Sequence, residues 1–300
     1  MYKQLTTLFL LLLTCQAVPT HAADTAQPST PGEPSAVKAP PPAAMKPMVI
    51  ATENDVRKID GSGTVAWQAA SGVSRDVQVL PNGNILFPFN QNKTCGAREV
   101  DPTGKTAWEF TLPGNFVMSC RRLADGNTLV GASVQGAVLV VSPAGEVLHT
   151  IKVRGAEHKK HATTIVRPTA DGNVLVVEEA ANYVTEYTLG GSIVWEFMVP
   201  FRPFGVERLP NGNTMISGQD GMIEVTADKE IVWQLTKEDV VDMGPRWFAG
   251  FQVLPGGNIM VCNAGGGVPV FEVDRDKKVV WQTSLTMKDI GMAHGICVLP

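Results

Sequence analysis

"LPNGNIL", residues 80–86, decides the fold, because the chain spells it again and again. It returns as "LADGNTL" (123–129), "TADGNVL" (169–175), "LPNGNTM" (209–215) and "LPGGNIM" (254–260). The turn glycines Gly83, Gly126, Gly172, Gly212 and Gly257 are 43, 46, 40 and 45 residues apart. An Asn-Gly or Asp-Gly pair suits a tight hairpin because its central residues need positive φ. An alternating stretch such as "RDVQVL" (75–80) leads in, and an apolar strand such as "NILFPF" (84–89) leads out.

A second turn follows in each unit, as "DPTG" (101–104), "SPAG" (142–145) or "DGSG" (60–63). Asp or Ser first and Gly last fits a type I turn. A fourth strand then carries an aromatic residue: Trp67, Trp108, Trp195, Trp233 and Trp281, with Leu148 expected in that place once. Four short antiparallel strands per unit cannot bury their own apolar faces. A period of roughly forty residues therefore predicts the stacked blades of a β-propeller.

Complete units begin near Arg75, Met118, His161, Phe204 and Ala249. Two partial units remain, Val49–Gln68 with third- and fourth-strand grammar and His294–Pro300 with first-strand grammar. Joined, they predict an all-β, six-bladed propeller of four-stranded antiparallel blades over 48–300. Its sixth blade is completed by N- and C-terminal strands. Because Pro300 stands where the next Asn-Gly-Asn would begin, that blade is expected to lack its second strand, as a truncated chain would. On each fourth strand the indole is expected to fill the widening gap between blades and to donate to a neighbouring backbone carbonyl.

Composition agrees with one folded unit: 300 residues, 44% of them apolar, can bury a substantial core. Twenty-five Lys and Arg against 29 Asp and Glu give no electrostatic case for nucleic acid. The first 22 residues read as a signal peptide: Lys3, the apolar run Leu8–Leu13, then "THA" (20–22) as a cleavage site. That run is too short to be a transmembrane span. The expected location is exported, periplasmic or secreted, with lipoprotein anchoring at Cys15 the lesser alternative because Thr14 precedes it. Residues 23–47, rich in Pro and Ala, read as a disordered tether.

The "LPNGN" turn with a downstream "DxxGxxxW" resembles the PQQ-like, quinoprotein-type β-propeller superfamily. The wording of the repeat is similar to arylsulfotransferase-type propellers. The likeness runs over 49–300 and rests on structural motifs. Arylsulfotransferase-type relatives imply a histidine nucleophile in a central funnel, and His161 and His294 are the histidines placed for it. Neither sits in a stretch matching the family's catalytic motifs. Quinone-dependent relatives imply PQQ, Ca²⁺ and a vicinal disulfide, but this chain has no adjacent cysteines, so no cofactor and no metal are expected.

Sites should form where connections vary, on the face opposite the turns. Arg75, His161, Arg202, Arg246, Trp247 and His294 are the candidate funnel for a small anionic or aromatic ligand. Solvated loops with one Trp tucked against a blade are the plainer alternative. Cys95 and Cys120 are the candidate disulfide between neighbouring blades, and Cys262 and Cys297 are read as small buried residues. The expectation is a monomeric ligand-binding or protein-scaffolding module of the cell envelope. The alternatives are an arylsulfotransferase-like or hydrolytic enzyme and an adaptor like the propeller lipoproteins that help outer-membrane assembly.

Overall fold

The computed structural model describes residues 44–155, 157 and 162–300. They form six four-stranded antiparallel sheets. The innermost strands are Gln78–Val79, Val117–Arg122, Val166–Pro168, Pro203–Arg208, Trp247–Val253 and Gly295–Val298, one for each of blades one to six. Blade four shows the full pattern: Pro203–Arg208, Thr214–Gly218, Gly221–Val225 and Ile231–Thr236. The "LPNGN" loop joins its first two strands, and Gly212 takes φ 86° there as the turn demands.

Blade six is the one place where the expected architecture is corrected. Its second strand is present, supplied by Met48–Ala51, followed by Asp55–Ile59 and Val65–Ala70. Met48 pairs with Val298 and Ala51 with Gly295, so strands from the two ends of the chain share one sheet. The sequence pattern hid this strand for a physical reason. "MVIA" is buried on both faces and so shows no alternation, and no Asn-Gly turn precedes it because the covalent link between first and second strands is absent in this blade.

The core is divided into six clusters, one between each pair of neighbouring blades. Leu86, Ala97 and Phe110 of blade one meet Val130 and Ala132 of blade two. Val49, Ala51 and Val56 of blade six meet Val77, Ile85 and Phe87 of blade one, which closes the ring. Successive residues of a middle strand therefore serve opposite interfaces: Leu129 faces blade three while Val130 faces blade one.

A four-residue device bolts adjacent blades together. In four blades the Asn after the turn Gly donates to a third-strand Glu: Asn84 to Glu99 at 2.6 Å, Asn173 to Glu186 at 2.9 Å, and Asn213 to Glu224 and Asn258 to Glu272 at 2.7 Å. A cation from outside that blade pairs with the same Glu, namely Arg122, Arg208, Arg275 and Lys46 in turn. Each cation lies over the blade's indole, at 4.9 Å from Trp108, 5.1 Å from Trp195, 4.8 Å from Trp233 and 5.9 Å from Trp281. The indole N–H reaches onward to a backbone carbonyl as expected: Trp108 to Pro143, Trp195 to Ala227, Trp233 to Arg275 and Trp281 to Ala44.

Blade two lacks the device as a whole, with Val140 in place of Glu and Pro168 in place of the partner Arg. Strand register places His149, not Leu148, at its aromatic position, because His149 pairs with Val140 as Trp108 pairs with Glu99. The tether boundary also moves: residues 44–47 pack on blades five and six, where Ala44 and Lys46 complete blade five's device. The expected signal peptide and residues 23–43 lie outside the described residues.

The expected Cys95–Cys120 bridge is not formed, and Cys95, Cys120, Cys262 and Cys297 are all free thiols. Both candidates do lie in the cluster between blades one and two. Cys95 sits within the strand Thr94–Val100 rather than a loop, because Asn92 and Lys93 make a tight hairpin with positive φ. Its thiol donates to the Leu112 carbonyl at 2.8 Å. Facing sheets are about 10 Å apart, beyond the roughly 7 Å between Cα atoms that a disulfide can span.

Candidate functional site

The innermost strands pass each other so closely near the axis that side chains are excluded at several points. A Cβ on Gly250 would lie 2.5 Å from the His294 carbonyl, and one on Gly295 would lie 2.7 Å from that of Arg75. The approach lets Gly250 N–H bond the His294 carbonyl at 2.7 Å and Arg75 N–H bond that of Met118 at 3.1 Å. Blades are thus hydrogen-bonded to one another around the channel. Strand register makes Arg75, Met118, Thr164, Phe204, Ala249 and His294 equivalent, so Thr164 rather than His161 is blade three's member of this ring.

On the side of the interblade connections, Arg75 reaches across the mouth to blade three. Its Nη1 donates to Glu179 Oε2 at 2.7 Å, and its guanidinium lies 5.4 Å from the Phe204 ring centroid. Arg202 pairs with the other oxygen of Glu179 and also lies over Phe204, at 5.7 Å. Thr164 donates to Glu179 at 2.7 Å. Two arginines, one buried carboxylate and one phenyl ring therefore cap the channel. Arg202 keeps 45% of its side chain exposed.

Glu179 has a partner in its construction. The preceding residue, Glu178, is wholly buried and accepts bonds from Thr185 and Tyr187 at 2.6 Å and from the Arg154 backbone at 2.7 Å. Burial raises the Glu178 carboxyl above its usual range despite those bonds. It anchors the bend that aims Glu179 at the mouth.

His294 sits beside this cap, 8% exposed, with Nδ1 buried and without a hydrogen-bond partner. Burial, then the charge of Arg75, lowers its pKa to about 4, against a Ser74 backbone bond and the Glu179 charge. The imidazole is neutral at physiological pH. Arg246 and Trp247 contact each other instead, at 4.9 Å, and the Arg246 amide bonds the side chain of Asn263 in the strand Ile259–Ala264 of blade five. Of the six expected funnel residues, the structure gathers Arg75, Arg202 and His294. His161 lies outside the described residues.

One layer deeper, Asp76 occupies the axis. Arg167 grips it with two bonds of 2.8 and 2.9 Å, Arg121 with one of 2.7 Å and Ser119 with one of 2.6 Å. Burial works to raise the Asp76 pKa, but the charges of Arg121 and Arg167 and their bonds hold it below the usual range. Sequence reasoning passed over Glu179, and held Asp76 only as a conceivable axial carboxylate for a metal that no spacing selects. Each had one signal, an acid embedded in an apolar strand ("DVQVL", "VLVVEE"), which buries a charge that must then find a cation. Among the described residues no group of three or more His, Cys, Asp or Glu could hold a metal ion.

Blade architecture and ring closure make this chain a six-bladed β-propeller, and its repeats are similar to those of PQQ-like propellers. Residues 94–222 match the family described as outer membrane protein assembly factor BamB. No curated protein matches the chain significantly. Among solved structures, a protein of unknown function from Bacteroides caccae aligns at TM-score 0.74 and 23% identity, over 84% of this chain and 98% of its own. Virginiamycin B lyase from Staphylococcus aureus aligns at TM-score 0.57 and 14% identity, over 82% of each chain. These likenesses share the fold. Among the described residues no helix is long and apolar enough to cross a membrane.

Proposed function

We propose that this propeller is an exported protein-binding module of the cell envelope that engages its partner with the face of the interblade connections. The observation that carries the reading is the cap over the channel mouth. Arg75 and Arg202 both close on Glu179 across the axis and leave one net positive charge there, so this face offers a cationic surface instead of an open reaction chamber. Around the cap stand groups that suit a protein partner: exposed Arg202, Arg246 stacked on Trp247, and Val241, 67% exposed on the 3-10 segment Glu238–Met243. The match to an outer-membrane assembly factor over 94–222 supports the same class of role.

Photo-crosslinkers placed at residues 202 and 241 in cells should each trap the same discrete envelope protein, whereas one at Asp228, in a turn on the opposite side, should not. Cell fractionation should recover the chain in the envelope. Recovery in the cytoplasm, or identical products from all three positions, would refute the reading.

A second reading has one observation in its favour. A neutral His294 with an unpartnered Nδ1 beside Arg75 is a chemically competent nucleophile or base next to an anion-binding cation. On that reading the chain is an arylsulfotransferase-like or hydrolytic enzyme. Turnover of aryl sulfates or simple esters that vanishes in His294→Gln would favour it over the scaffold.

A further inference from the structure

The turn side of the channel holds a cavity of about 360 Å³ that the cap and its partner surface do not use. Strand register puts Gln78, Arg121, Arg167, Glu207, Gln252 and Cys297 at equivalent positions, one from each innermost strand. Five of them line the cavity, together with Val77, which stands in for Gln78. Its volume suits a small molecule.

Its chemistry is lopsided toward donors. Arg121 and Arg167 project in from neighbouring strands, held by Asp76, which takes one Nη of Arg121 and leaves its Nε buried without a partner. Gln252 spends its carbonyl oxygen on the Val298 amide at 2.7 Å, so its NH₂ is what remains for the cavity. The one acidic side chain in the wall is Glu207, on the innermost strand next to that of Arg167. Burial raises its pKa more than Arg167, the Val253 backbone and Arg121 lower it, so Glu207 keeps its proton to a higher pH than an ordinary carboxyl does.

We propose that the turn-side end of the channel is a binding site for a small free carboxylate, gripped by Arg121 and Arg167 and given a hydrogen bond by the Glu207 carboxyl. The grip follows from guanidinium geometry, and Asp76 pre-orients both forks. Binding is coupled to protonation. With Asp76 ionised and Arg208 neutralised by Glu186, the local charge is positive when Glu207 holds its proton and near zero when it does not. Affinity therefore rises as pH falls through the Glu207 titration, and Glu207→Gln makes it high at every pH.

Cys297 supplies a built-in reporter: it is a free, half-buried thiol in the cavity wall, while Cys95, Cys120 and Cys262 are buried. The full chain is treated with an anionic and a cationic methanethiosulfonate of similar size, and Cys297 labelling is followed by peptide mass spectrometry. The anionic reagent should label about tenfold faster relative to its rate with a small thiol. Succinate should slow that labelling, more strongly at pH 5.5 than at pH 7.5. In Glu207→Gln, which is isosteric and leaves Asp76 its partners, protection at pH 7.5 should exceed that of the unaltered protein and should change less between pH 7.5 and pH 5.5. Equal rates for the two reagents, or no protection by succinate in either protein, would overturn the proposal.

Discussion

Arg167 and Asp76 are 91 residues apart in sequence and meet on the propeller axis through two hydrogen bonds of 2.8 and 2.9 Å. The pair ties blade three to blade one, and Arg121 ties blade two to the same carboxylate. Removing that carboxylate leaves two guanidiniums facing each other with their main acceptor gone. Asp76→Ala is expected to cost about 3–5 kcal/mol in urea unfolding, well above an ordinary surface change. Asp76→Asn should fall between the two, since it keeps one acceptor oxygen.

His294 predicts a pH window. Its folded pKa, about 4, lies below the ordinary 6.5, so the unfolded chain takes up the proton first as pH falls. Stability from this group is complete above pH 6.5 and is lost on the way down to about 4, a change of about 3 kcal/mol. Urea midpoints measured from pH 7 to pH 4 should decline less steeply in His294→Gln. Asp76, with its lowered pKa, gives up its contribution only at still lower pH.

Glu207 has the opposite sign. A carboxyl whose folded pKa is raised contributes stability below its unfolded pKa and loses it as pH rises through the folded one. Glu207→Gln should raise the thermal midpoint at pH 7.5 and leave it nearly unchanged at pH 4. A variant no more stable at pH 7.5 would contradict the assignment.

The interblade devices predict additive losses. Trp108→Phe, Trp195→Phe and Trp233→Phe each delete one indole N–H to carbonyl bond and keep most of the ring. Each should cost about 1 kcal/mol. The sites lie on different interfaces and share no partner, so a triple variant should lose about the sum. Glu224→Ala should cost more than any one of them, because it strands Arg275, Asn211 and Asn213 together.

Close approach at the axis gives a steric test. Gly250→Ala would press a methyl group onto the His294 carbonyl and break the Gly250 N–H bond to it. The variant should lower stability by more than about 1 kcal/mol, with Gly257→Ala, where the surroundings are open, testing conformational strain alone.

The amino-acid sequence by itself determined the repeat, the blade count and the aromatic rim. Those features are local: a turn glycine, an alternating strand and an indole are each specified by residues a few positions apart, and copies at a fixed period report one another. It also put Arg75 and His294 at the channel mouth, because strand starts are countable from the turn, whereas Arg202 was one candidate among several in the variable connections. What only the tertiary structure decided depends on pairs far apart in the chain. Asp76 meets Arg167, Glu179 meets Arg75, and Met48–Ala51 meets Gly295–Val298 because ring closure brings strands from different blades to one axis. A lone buried acid announces that it needs a partner, but which cation answers is fixed by the curvature of six stacked sheets, and no local pattern encodes that.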